Sequence, residues 1–232
     1  MKVAGKRGGS TRDRLLESAC IIFSKKGFRD ATVAEICARA EANIAAINYH
    51  FGDKEALYVE AWRLAFHRSL EAHPPDGGVR PDAPVSERLR GRILSIMQRI
   101  DDPGSHEFEI VQKELANPTG LLAEVVHESI APIRRALGAI VRELLGERAS
   151  QQQVQLCQMS IKAQCFDLMM RQRHHKMFPA GADRPDPPSL GLPLESVADH
   201  IVRFSLAGIR EVRRQIESAE LSAPELPREN VS

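Results

Sequence analysis

Of the eight histidines and four cysteines in the 232 residues, His106, His127, His174, His175, Cys157 and Cys165 are the candidates for binding a metal. A structural zinc site needs its ligands at short, fixed spacings, and no spacing among these six repeats such a set. No metal is therefore expected. Catalysis has less support still, because the chain has no nucleophile motif, no block of paired acids and no Gly-rich phosphate loop. No catalytic residue and no cofactor are expected. Cys20 and Cys37, like Cys157 and Cys165, fall inside apolar helical patterns, which predicts four buried, reduced thiols.

Charge points elsewhere. The net charge is only +1, yet residues 1–72 hold 12 Lys/Arg against 9 Asp/Glu, a balance of +3, which leaves −2 for the remainder. Lys2, Lys6, Arg7 and Arg12 precede the first acid. A basic arm of this kind suits phosphate contacts or a reach into a minor groove, and it equally suits a solubilising tail. With 43% hydrophobic and 27% charged residues the composition is that of a soluble globular protein. No apolar run approaches the roughly 20 residues of a bilayer span, so a cytoplasmic location without membrane contact is expected.

The elements that must position any site are helical. Ser10 or Thr11 caps a first helix carrying Leu15, Ala19, Ile22 and Phe23 at helical spacing, with a stop at Gly27. Thr32 and Glu35 form a capping box for a short helix to Ala40, Glu41 and Ala42 turn, and Asn43 caps a third helix over 44–51. Asp53 caps a fourth helix with an apolar stripe of Leu57, Trp62, Ala65 and Phe66. Phe23, Phe28, Ile36, Ile47, Phe51 and Leu57 are expected to form the core of this part. The stretch PPDGGVRPDAP reads as a hinge, and helical patterns follow over 89–100, 106–116, 120–145, 151–177 and 194–216. The expected fold is all-α. Its divisions are a disordered basic arm (1–9), a three-helix helix-turn-helix domain (10–52), a connecting helix (53–73), a linker (74–85), a second helical domain (86–217) and a disordered tail (218–232). The Pro-rich stretch 179–193 is expected to be mobile.

Two short capped helices joined by a tight turn and packed on a longer one describe a geometry that sets a recognition helix into the major groove of DNA. The stretch TRDRLLESACIIFSKKGFRDATVAEICARAEANIAAINYHFGDKEALY closely resembles the DNA-binding domain of the TetR family of repressors. AAINYHFGDKEALY, with the later KELANPTGLL, resembles the CecR-like branch of that family, whose C-terminal domain senses drug-like compounds. The resemblance implies a ligand-responsive DNA-binding regulator, by family habit a repressor, released from a palindromic operator by a small hydrophobic or drug-like effector.

Residue by residue, the resemblance assigns Thr32 to a phosphate contact, in agreement with the anion-binding character of a helix N-terminus. It makes Asn43, Ala45, Ala46 and Asn48 the base or groove-edge residues. It makes Tyr49 and His50 a phosphate-contacting pair and adds Lys54. This chain departs from the family in carrying Glu41 where glycine is common in the turn, and Asn48 where an aromatic is common. Glu41 must tolerate or reshape that backbone, and Asn48 implies a different operator preference.

The resemblance further implies that the 151–177 and 194–216 helices form a four-helix bundle with a second subunit. Val197, Ile201, Phe204 and Gly208 would be its interface, making a homodimer that matches a two-fold operator. An effector pocket would draw on Met97, Phe108, Val111, Glu114, Leu122, Val126, Met159, Phe166 and Met170. Glu114 is the acid that needs a partner or a cationic ligand group if it turns inward. The residues alone leave open a helical module that binds a small molecule or partner protein without specific DNA affinity.

Overall fold

The computed structural model describes residues 9–177 and 192–221, with side chains described up to residue 167 and from 192 to 218. Most of the basic arm, most of the Pro-rich stretch, the side chains of Met170, His174 and His175, and the C-terminal end lie outside the described residues. Within them there are nine helices and no strand: α1 (Thr11–Asp30), α2 (Val33–Ala40), α3 (Ile44–Phe51), α4 (Lys54–Ala72), α5 (Val85–Asp101), α6 (Glu107–Ala116), α7 (Ala123–Leu145), α8 (Gln151–Met177) and α9 (Leu194–Leu221). No described helix is long and apolar enough to cross a membrane. The helix α9 continues to Leu221, past the expected start of the tail at Ser218.

The chain forms two compact units. The first joins the residues up to Pro74 with Arg99–Pro132, and the second joins Pro75–Gln98 with the residues from Ile133 on. The first unit is thus larger than a helix-turn-helix followed by a connecting helix: α6 packs on both α1 and α4. Gly27 explains how. It adopts φ 76° and kinks α1, and a Cβ there would meet Lys113 Cβ at 3.2 Å, so the bare backbone lets α6 come close. Leu15, Ala19, Phe23, Ile36, Ile47, Leu57, Tyr58 and Trp62 are almost wholly buried, while Phe28 and Phe51 are half-buried.

The end of α5 and the start of α6 enter this core through a buried ion pair. Arg99 donates from Nε to Glu107 Oε1 at 2.9 Å, Ser69 Oγ donates to the same oxygen at 3.1 Å, and the Arg99 guanidinium lies 5.4 Å from the Phe66 and Phe108 ring centres. Glu107 Oε2 is buried without a partner, and burial pushes the carboxyl up to about 7 against the pull of Arg99.

In the second unit Leu89, Ile93, Met97, Leu137, Val141, Val154, Ile161, Cys165, Ala198, Ile201 and Ile209 form the core. The stretch expected as a hinge packs closely on α5 within this unit. A Cβ on Gly77 would sit 2.5 Å from Gly91 O, and one on Gly91 2.2 Å from Asp76 O, so two glycines let the loop backbone lie directly on α5. Arg88 Nε donates to Ala83 O at 2.9 Å and Asp76 Oδ1 accepts from Gly78 N at 2.9 Å, fixing both ends of the loop. The absence of periodicity marked a non-helical segment, in which glycine serves both close approach and the left-handed backbone of Gly77 at φ 65° and Gly78 at φ 72°.

Candidate nucleic-acid interface

The helix α3 is short because its cap and stop are close together. Asn43 Oδ1 accepts from Ala45 N at 3.0 Å at one end, and Gly52 at φ 85° donates to Asn48 O at 3.1 Å at the other. Of its residues Ile47 alone is fully buried, 1% exposed, and pins the helix to the α1–α4 core. Asn43, Ala45, Asn48 and Tyr49 are exposed and Ala46 and His50 are half-exposed. Tyr49 reaches 85% exposure, with its ring 4.9 Å edge-on from that of His50. An aromatic ring left so far out of the core has its hydroxyl free to reach a ligand.

Ile44 belongs to this face and was not among the sequence candidates. It is 53% exposed, although its spacing to Ile47 and Phe51 reads as core. Placed just after the cap, it lies beyond the arc that touches the other helices. The one signal in the sequence was its neighbour Asn43, since residues of a first turn project away from the packed middle of a short helix.

The turn before α3 takes an unusual conformation. Glu41 has φ 50° and ψ 49°, the single non-glycine residue with positive φ among the described residues, and Ala42 N donates to Cys37 O at 3.0 Å across it. Arg14 reinforces the turn by donating from Nε to Ala40 O at 3.1 Å. The chain thus keeps the left-handed turn while carrying a side chain there.

At the start of α2 the capping box is complete. Thr32 Oγ1 accepts from Glu35 N at 3.2 Å, and Glu35 Oε2 accepts from Thr32 N at 3.1 Å. The Glu35 carboxylate also pairs with Lys26, whose hydrogen bond holds its pKa below the ordinary range. Two of the orphan amides are consumed, so an anion here would meet the Thr32 hydroxyl and the amides of Val33 and Ala34. Lys54 packs its ammonium 4.4 Å from the centre of the Phe28 ring, and partial desolvation lowers its pKa. Arg12 lies similarly over Phe51, 5.0 Å from the ring centre.

The residues expected to line an effector pocket are divided. Phe108, Val111, Glu114, Leu122 and Val126 belong to the first unit, and Met97, Met159 and Phe166 to the second. Met97 is fully buried in its core, whereas Met159 is 57% exposed and faces solvent. Glu114 has its partners within the protein: it accepts from Tyr58 Oη at 3.2 Å and from Thr119 N and Gly120 N at 2.8 Å each. No cationic ligand is needed to satisfy it. Among the described residues no three of His, Cys, Asp and Glu gather as a metal site.

The expected dimer face is also divided. Ile201 is 4% exposed and Val197 packs on the same core, while Phe204 is 63% exposed and Gly208 is open. At roughly 100° per residue the buried arc of α9 centres on Ala198, Val202, Ser205 and Ile209. Ile201 falls at its near edge, Gly208 and Val197 lie next beyond it, and Phe204 lies farthest out. On α8, which packs against α9, Leu156 is 50% exposed beside Met159.

Two family models match this chain. Residues 15–61 match that of the bacterial regulatory proteins of the tetR family, and residues 85–209 that of the C-terminal domain of the HTH-type transcriptional dual regulator CecR. The chain belongs to the tetR family, in the branch that carries the CecR-type C-terminal domain. It is 27% identical over 150 residues to CecR of Shigella flexneri, a match covering 60% of this chain and 67% of that protein. It is 44% identical over 48 residues to the HTH-type regulator YttP of Bacillus subtilis, covering 21% of this chain but only 23% of YttP. A TetR-like transcriptional regulator from Rhodococcus sp. RHA1 shares the fold, with a TM-score of 0.64 and 16% identity over 89% of this chain and 99% of that one.

Proposed function

We propose that the protein is a homodimeric, ligand-responsive transcriptional regulator, a repressor that leaves a palindromic operator when a small molecule binds its C-terminal domain. The observation that carries the reading is the outward face of α3, where Asn43, Ile44, Ala45, Asn48 and Tyr49 stand exposed on a helix pinned from behind by Ile47. In this reading Asn43 keeps its amide NH₂ for a base, because its carbonyl oxygen caps the helix. Asn48 reads a base edge, and Ala45 and Ala46 allow close approach. Thr32, Tyr49, His50 and Lys54 hold phosphates and set the register.

The second copy docks on α8 and α9, with Leu156, Met159, Phe204 and Gly208 at the contact. Exposed large apolar side chains of this kind are what an obligate interface covers. An effector acts by binding the DNA-incompetent arrangement more tightly than the competent one, since equal affinity for both shifts nothing.

The test is a titration of the protein with DNA from upstream of its own gene and with an unrelated duplex, at two salt concentrations. Selective binding by a dimer, weakening steeply with salt as counterions are released, is the expected result. Equal and weak binding to both duplexes, with no salt dependence, overturns it.

A further inference from the structure

Between α7 and α8 the second unit has a cavity of about 420 Å³, whose lining includes Arg134, Arg135 and Arg142 and no carboxylate. The Arg142 guanidinium is half-buried and held by two neutral acceptors, Ala149 O at 3.0 Å and Gln151 Oε1 at 2.7 Å. It is therefore fixed in direction, with no ion pair among the described residues. Among the described residues Arg135 makes no ion pair, and the acid nearest in sequence to Arg142, Glu143, is engaged by Arg88 through both oxygens at 2.6 and 2.7 Å.

The cavity is built rather than incidental. Gln158, 7% exposed, donates from Nε2 to Arg134 O at 2.9 Å and forms its wall. A Cβ on Gly138 would come within 2.9 Å of that amide nitrogen, so a larger residue there would displace the Gln158 side chain from this position. Gly138, Ala139 and Val154 make the floor apolar. Arg135 and Arg142 are seven residues apart on one helix, two turns or about 10 Å along its axis. A cleft with cations toward both ends and low-dielectric walls between concentrates positive potential, and a guanidinium takes a carboxylate through two parallel hydrogen bonds.

We propose that this groove is a binding site for an elongated organic dianion, of which a dicarboxylate is the simplest form. One anionic end rests on Arg142, the other on Arg135, and the carbon chain lies over Gly138 and Val154. Every residue involved lies in the second unit, so the inference stands apart from the DNA-binding reading.

The experiment titrates the full chain with suberate, with its neutral analogue suberamide and with octanoate. Calorimetry and the NMR signals of the arginine Nε–H groups follow binding. The expected result is saturable binding of one suberate per chain, with the Arg135 and Arg142 signals shifting, weaker binding of octanoate and none of suberamide. R142Q and R135Q each raise the Kd roughly tenfold. The Arg135 side chain makes no hydrogen bond or ion pair among the described residues, so R135Q folds normally and keeps the test decisive if R142Q does not. Arg90→Gln, which removes a bond to Asp199 elsewhere in the unit, leaves the Kd unchanged. Absence of saturable suberate binding, equal binding of suberamide, or a wild-type Kd in R135Q overturns the site. Octanoate binding as tightly as suberate overturns its two-ended character. Because the readout uses no DNA, failure here leaves the regulator reading untouched, and loss of DNA binding leaves this site untouched.

Discussion

Arg99 and Glu107 meet almost entirely out of water, at 5% and 2% exposure, with Arg99 Nε 2.9 Å from Glu107 Oε1. Burial raises the Glu107 carboxyl from 4.5 to about 7. A carboxyl with a raised folded-state pKa contributes stability that is full below its unfolded pKa and is lost as pH rises through the folded one. Unfolding free energy is therefore expected to fall by a few kcal/mol between about pH 4.5 and 7 through this group. Urea melts across that range test it. Glu107→Gln should flatten the slope, because the variant has no carboxyl to titrate at this position.

Tyr58 and Glu114 tie α4 to α6 and to the loop after it. Tyr58→Phe removes the donor at 3.2 Å but leaves the Thr119 and Gly120 amides on Glu114, so a loss of about 1 kcal/mol is expected. Glu114→Ala strips these three contacts and that of the Thr119 hydroxyl at 2.8 Å, and should cost more. A double-mutant cycle by denaturant unfolding isolates the pair, and full additivity would show that the two do not interact.

Glu41 holds a left-handed backbone without glycine's freedom. Glu41→Gly is expected to raise stability by about 1 kcal/mol, seen as a higher Tm, with no change in the circular dichroism of the folded state.

On the face proposed to meet DNA the effects should separate by type. Tyr49→Phe and Lys54→Ala are expected to weaken binding to every sequence, whereas Asn48→Ala and Ile44→Ala should relax preference at particular base pairs. Selection from a random-sequence DNA pool with each variant measures this. Recovery of the wild-type motif by both Asn48→Ala and Ile44→Ala would remove them as readers.

Phe204→Glu, at 63% exposure, should leave the fold intact and halve the mass seen by sedimentation, since it puts a charge into the proposed apolar contact between copies. Unchanged mass in both Phe204→Glu and Leu156→Glu would place the interface elsewhere.

Periodicity and caps determined most of the helices from sequence alone, because Ser10, Thr32, Asn43 and Asp53 satisfy orphan amides locally and need no distant partner. The helix α3 was legible for the same reason, helped by a dense resemblance. Tertiary structure alone decided where each apolar face turned. Ile44 and Ile47 lie on one helical stripe, yet only Ile47 meets the core. Met159 carries a core side chain and stands in solvent. Glu114 finds a tyrosine 56 residues away. Tertiary structure also placed α6 with the first unit and laid the loop of Gly77 flat on Gly91. Local sequence sets which arc of a helix is apolar, but long-range packing sets what covers that arc. That is a property of contacts between segments far apart in the chain.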